Sequence, residues 1–187
     1  MEGIEAVTIQ DQLKIRLKAN VSKACMGDDK AYERLIIPLE NKMYRVARSV
    51  LFSDSDCCDA IQETLLRAWK KIPQLKDKTL FEPWLMRILV HECYRTARKN
   101  KRYEQTPFND ELLFEIQESP ADLDLSMDLR RMLDTLPPHE RMALILYYTL
   151  DYKVKDIAGI LDIPEGTVKS QLSRGRSHLA KKLKEIP

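Results

Sequence analysis

The 187-residue chain is 44% apolar and 32% charged with a net charge of +2, a soluble globular composition that fits one domain or two small ones. No apolar run approaches the roughly 20 residues of a membrane-spanning helix, and the start MEGIEAVTIQDQ lacks the basic-then-apolar pattern of a secretory signal, so a cytoplasmic location without membrane insertion is expected. Cys25, Cys57, Cys58 and Cys93 form no CxxC and no zinc spacing, and they read as reduced thiols; neither a metal nor a cofactor is expected.

Helical periodicity dominates a chain with only five glycines, and no segment alternates convincingly as a strand. Ile9, Leu13, Leu17 and Val21 space an extra helix that begins in an N-terminal extension, residues 1–20. A first domain, residues 21–102, follows. Leu35, Leu39, Met43, Val46 and Val50 share one helical face, and Ile61, Leu65, Ala68, Trp69 and Ile72 share another. Pro73 ends that second helix, and residues 73–80 read as a loop. A third helix runs from about Phe81 to Lys101 and buries Leu85, Ile88, Leu89, Cys93 and Ala97.

Residues 103–127 hold Pro107, Pro120 and a run of acids with no base, which reads as a linker. The second domain, residues 128–187, resumes helical spacing at Leu129, Met132, Leu133 and Leu136, breaks at Pro137–Pro138, and continues as a helix over 139–149. Val154, Ile157, Ala158 and Leu161 then mark a short helix. A tight break at Asp162–Pro164 leads into a longer one, since proline suits a first helical turn. Two helices so closely joined make a helix-turn-helix. The architecture expected is all-α: two small helical domains on an acidic linker.

The net charge conceals a pattern. Residues 84–102 hold six bases and one acid, residues 103–129 hold eight acids and no base, and residues 169–184 hold six bases and no acid. In the last helix Val168, Leu172, Gly175 and Leu179 form the inward face, with Gly175 allowing close approach of a neighbour. Thr167, Ser170, Gln171 and Arg174 take the outward face, where such side chains read base edges in the major groove. Lys169, Arg176, Lys181 and Lys182 flank it, suited to phosphates.

In the first domain, Asp59, Gln62, Glu63, Leu66 and Lys70 share the outward face of the second helix. An acidic and amide patch beside an outward leucine suits protein docking and would repel phosphates. The third helix carries Arg87, His91, Tyr94, Arg95, Arg98 and Arg102 on one stripe. The preceding loop brings Lys76, Lys78, Phe81 and Trp84. Aromatics beside a basic stripe suit opened or single-stranded DNA, although rings at these positions also serve as core.

The ordered blocks AYERL…MYRVA, DAIQETLLRAW, F-x-x-WL-x-RI, LPPHERMALILYY and DIAGILDIPEGTVKSQLSRGR together resemble the sigma-70 family of bacterial transcription initiation factors, specifically its small two-domain extracytoplasmic-function group. The resemblance covers about residues 21–186. It implies that the first domain is similar to region 2, whose Asp59, Gln62 and Glu63, with Leu66 on the same face, dock on the clamp coiled coil of the largest subunit of core RNA polymerase. It implies that loop 73–83 and helix 84–102 (Lys76, Lys78, Phe81, Trp84, Arg87, His91, Arg95 and Arg98) open and hold the minus-ten element. The second domain is similar to region 4, which binds the polymerase flap and reads the minus-thirty-five element, here through Thr167, Lys169, Ser170, Gln171, Arg174 and Arg176. Promoter DNA and an anti-sigma factor are the further partners implied; a small-molecule substrate is not. His91, Arg95 and Gln171 stand where the group often has asparagine, aspartate and arginine, and Cys57–Cys58 replaces a usual Ala-Glu pair.

Two promoter elements roughly 17 base pairs apart are about 55–60 Å apart at about 3.4 Å per pair, within reach of a linker that extends to roughly 80 Å. Its acidity suits passage along a basic channel. A competing reading is a helix-turn-helix regulator whose N-terminal domain senses a ligand or dimerises; it predicts a pocket or self-complementary face in residues 21–102. The histidines His91, His139 and His178 are scattered and no phosphate loop or nucleophile elbow occurs, so catalysis is not expected.

Overall fold

The computed structural model describes residues 8–99 and 132–184, so the linker, Arg102 and residues 128–131 lie outside the described residues. Every regular element among the described residues is helical. The first domain holds α1 (Ile9–Cys25), α2 (Asp29–Ile36), α3 (Glu40–Arg48), α4 (Asp54–Lys71) and α5 (Phe81–Lys99). The second holds α6 (Pro138–Leu144), α7 (Val154–Leu161) and α8 (Glu165–Lys184), with a π-helical turn, Ile145–Thr149, between α6 and α7.

Local chemistry sets the helix starts. Thr8, Asp28 and Ser53 each cap a helix by accepting a hydrogen bond from the backbone N–H three residues on, at Asp11, Ala31 and Asp56. Gly27 turns the chain between α1 and α2 at a φ of +90°, a conformation that costs a glycine nothing. The segment 73–80 is not plain loop: two 3-10 turns, Ile72–Gln74 and Lys78–Leu80, punctuate it, the second capped by Asp77.

α1 is one continuous helix, so no break falls between residues 20 and 21. Its C-terminal half joins the domain. Val21 is fully buried, Leu17 packs on the core, and Cys25 donates to the carbonyl of Ile72. Ile9 and Leu13 lie beyond that packing and are exposed.

The core of the first domain is the inward face of α3, α4 and α5. Met43, Val46, Ala60, Ala68, Leu85, Leu89 and Cys93 are all at most 1% exposed, and each large side chain so buried contributes about 1.5–3 kcal/mol. Burial pushes the Cys57 thiol up to about 11 and that of Cys93 further still, so both are neutral near pH 7.

In the second domain Met142, Leu146, Ile157, Ile160 and Val168 close the core. α8 crosses α6 at Gly175. A Cβ there would stand 2.9 Å from Leu144 Cδ1 and 3.2 Å from its Cγ, which is the close approach read from the sequence, and a side chain at this position has to displace Leu144. His178 Nδ1 then lies 2.7 Å from the buried carboxylate of Glu140 and ties the end of α8 back to α6.

Candidate docking and nucleic-acid interfaces

α4 turns Ala60, Thr64 and Ala68 inward, which leaves the opposite face free of packing duties. Asp59, Gln62 and Leu66 are exposed on it, Leu66 at 58%. Glu63 is half-buried because it is drawn toward α5. Arg67 Nε donates to Glu63 Oε1 at 2.7 Å and reaches Glu92 Oε1 at 3.1 Å. Arg95 Nη2 lies 2.8 Å from Glu92 Oε2 and 3.5 Å from Glu63 Oε1. Two acids and two arginines thus form a closed square between α4 and α5, with Glu92 buried beneath it. The hydrogen bond from Arg67 holds the Glu63 carboxyl below its usual range, so Glu63 presents a full negative charge near pH 7.

Glu92 was invisible to the charge count except as the one acid of its block. A better signal was its register: it follows Leu85 and Leu89 by seven and three residues, on the buried stripe of α5. An acid in an apolar register calls for cationic partners, and Arg67 and Arg95 supply them. Arg95 therefore sits within this square rather than standing free on the basic stripe.

Arg87, His91 and Arg98 are exposed on α5, and Lys76 is exposed in the segment before it. Lys78 is half-buried and donates to Ser22 on α1 at 2.7 Å, so it anchors the 3-10 turn to the domain. Trp84 is half-buried with its ring 5.9 Å from that of Phe81. Phe81 itself corrects the expectation of a strand contact: it is fully buried in the core, because the first turn of α5 points it inward. Of the two aromatics, only Trp84 presents any ring surface.

α8 corrects a second expectation. Gln171 is 5% exposed, and its Oε1 finds no hydrogen-bond donor among the described residues. Counting from Val168, the inward positions are 168, 171, 172 and 175, and all four are buried. The polar character of Gln171 suits the outward face, but helical geometry places it inward. Lys169, Ser170, Arg174 and Arg176 are exposed and Thr167 is half-exposed. Arg176 donates to the hydroxyl of Tyr148, which lies on the π turn edge-on to Tyr147. Ser170 donates to the carbonyl of Thr167. The outward face of α8 is therefore basic and hydroxylic, without any carboxylate after Glu165 within the helix.

The two domains touch. α5 packs along α7, Tyr152 donates to Glu82 Oε1 at 2.7 Å, and Arg87 Nη2 lies 2.8 Å from Asp162 Oδ2. Burial and the Glu82 carboxylate push the Tyr152 phenol well above its usual range, so it remains a donor. Among the described residues no group of three or more potential ligands could hold a metal, and no helix is long and apolar enough to cross a membrane.

Comparison with known proteins agrees with this geometry. The family profile described as Sigma-70 region 2 matches residues 35–103, and that described as Sigma-70, region 4, matches residues 126–179. The chain is 29% identical over 157 residues to the ECF RNA polymerase sigma factor SigM of Mycobacterium tuberculosis, covering 84% of this chain and 79% of that one. It is 25% identical over 190 residues to the ECF RNA polymerase sigma factor SigW of Bacillus subtilis, covering 93% and 100%. Among solved structures, the sigma factor RpoE of Bartonella quintana in complex with the anti-sigma factor NepR aligns with a TM-score of 0.65 and 25% identity, covering 84% and 99%. CnrH, in complex with the cytosolic domain of CnrY, shares the fold with a TM-score of 0.70 and 19% identity, covering 92% and 99%.

Proposed function

The chain belongs to the sigma-70 family, as a sigma factor of the extracytoplasmic-function group, and on that premise we propose how its two domains divide the work. The first domain docks on the clamp coiled coil of core RNA polymerase through Asp59, Gln62, Glu63 and Leu66. Its α5 face then receives the opened minus-ten strand: Arg87, His91, Arg98 and Lys76 hold the backbone, and the free side of Trp84 offers a ring to an unstacked base. The second domain reads the minus-thirty-five duplex with Lys169, Ser170, Arg174 and Arg176 of α8, beside Thr167, and binds the polymerase flap. Phe81 and Gln171 act by packing. The chain works as an initiation factor rather than an enzyme, in the cytoplasm, and an anti-sigma factor is its natural antagonist.

The exposed leucine among acids on α4 carries this reading. Leu66 is more than half exposed, yet it shares its helix face with Asp59, Gln62 and Glu63. Leu66→Asp is the cleanest probe because Leu66, unlike Glu63, takes no part in the ion-pair square. Retention on immobilised core polymerase is expected to fall at least about tenfold, the order of a buried apolar contact in an interface. Equal retention of wild type and Leu66→Asp would contradict the docking face.

A further inference from the structure

Glu92 is an acid on the apolar stripe of α5, and it is 4% exposed. The fold does not depend on a charge there: α4 packs on α5 with Ala60, Ala68, Leu85 and Leu89 buried in one core. Taking an acid and its cationic partners out of water costs about as much as their attraction returns, so a buried ion pair seldom stabilises a fold relative to apolar side chains of similar size. What such a pair does supply is a fixed geometry, and this one ends on Glu63 of the docking face.

Glu63 and Arg67 by themselves are an ordinary pair one helical turn apart on α4, with side chains 40% and 37% exposed. Such pairs are weak, and both partners sample other rotamers. Glu92 removes that freedom. Its Oε1 lies 3.1 Å from Arg67 Nε, the same atom that donates to Glu63 Oε1 at 2.7 Å, so one N–H sits between the two carboxylates. On the other side Arg95 Nη2 lies 2.8 Å from Glu92 Oε2 and 3.5 Å from Glu63 Oε1. Glu92 Oε2 and Arg95 Nε are buried and make no hydrogen bond among the described residues, so Arg95 is held by charge rather than by a directed bond. Two guanidiniums thereby fix Glu63 Oε1, and Glu92 fixes both of them. Glu63 Oε2 takes part in none of these contacts and is left as an acceptor for a partner.

We propose that Glu92 is a positioning residue for polymerase docking: through Arg67 and Arg95 it holds the Glu63 carboxylate in one place on the α4 face, so that core polymerase meets an acceptor already set. A side chain that must be immobilised on binding subtracts from affinity, and one immobilised beforehand does not. The two arginines balance the two acids, so the square adds no net charge to the docking face. What it changes is where Glu63 stands. The inference rests on the reading of the α4 face as the docking face, and Leu66→Asp tests that reading separately, because Leu66 lies outside the square.

Affinity of the labelled full-length chain for core polymerase, read by titration, is expected to fall about 3- to 10-fold in Glu92→Gln, the range for one side chain that loses its preset rotamer. The charge-balanced variant Glu92→Gln/Arg95→Gln should show the same fall. It leaves no unpaired buried ion, so it carries the test even where the single variant does not fold by circular dichroism. In a Glu63→Ala background, Glu92→Gln should change affinity by less than about 1.5-fold, because the group it positions is gone. A Glu92→Gln chain that binds as wild type, while Leu66→Asp binds at least about tenfold more weakly, overturns the positioning role and leaves the docking face standing. Wild-type affinity of the charge-balanced variant reduces Glu92 to an effect of net charge and overturns the role too. Losses from Glu92→Gln and Glu63→Ala that simply add do the same, since a residue that only packs would act whether or not Glu63 is present. Wild-type affinity of Leu66→Asp overturns the docking reading itself, and the positioning role with it.

Discussion

Gly175→Val tests what positions the duplex-reading helix. A bare Cβ already stands 2.9 Å from Leu144 Cδ1, and Leu144 is only 3% exposed, so it has little room to retreat. Valine adds two more methyl groups at the same crossing, also toward Glu140 Cβ at 3.4 Å. Overpacking of this kind costs about 1–3 kcal/mol, against a gain in helix propensity of about 0.4 kcal/mol over glycine. We expect a net loss of about 2 kcal/mol, read in a thermal melt as a fall of about 4–8 °C for a chain of this size. Gly175→Ala should be near neutral, because its one methyl meets the far end of a leucine and gains about 1 kcal/mol of propensity. Leu144→Ala, which alone costs about 2–5 kcal/mol, should partly rescue Gly175→Val, leaving the double variant at least about 1 kcal/mol better than the sum of the singles. Additive losses, or a Gly175→Val melt within about 1 °C of wild type, would refute the crossing as described.

Other outcomes follow from particular residues. Phe81→Ala, made in the core rather than at a DNA surface, should cost about 3–5 kcal/mol and show itself as unfolding of the first domain in denaturant titration. A stable Phe81→Ala variant with reduced strand binding would restore the ring to the DNA face. Arg174→Ala should weaken upstream duplex binding and reduce the salt dependence of affinity by about one unit of slope, with little change in melting temperature. In native thiol titration Cys58, the exposed cysteine, should react first and Cys25 more slowly. Cys57 and Cys93 should stay unreacted until denaturant is added, since both are fully buried and out of a reagent's reach.

The helices of both domains were legible because their apolar residues repeat at helical spacing: Leu85, Leu89 and Cys93 in α5, and Val154, Ile157 and Leu161 in α7, needed no tertiary context to be read. Gly175 was legible for the same reason, as a small residue on an inward stripe. For Gln171 and Phe81 chemistry and position point in opposite directions, and position decides. A polar residue at an inward position and an aromatic after a lysine-rich loop both suggest function, but register buries them. The square of Glu63, Arg67, Glu92 and Arg95 joins residues up to 32 positions apart on two helices, and its key was an acid on an apolar stripe. The contact between domains leaves no local periodicity at all. Tyr152 and Glu82 are separated by 70 residues, and nothing near either marks the other.

In the proposed division of labour, one helical domain grips polymerase and holds opened strand while the other reads duplex upstream. Adding the purified full-length chain to sigma-free core polymerase, with genomic fragments of its own host as template, and mapping the RNA 5′ ends tests it most directly. Transcripts are expected from a discrete set of start sites, and they should vanish when the chain carries Leu66→Asp. RNA that begins at random positions, or starts no different from those of core enzyme alone, would contradict it.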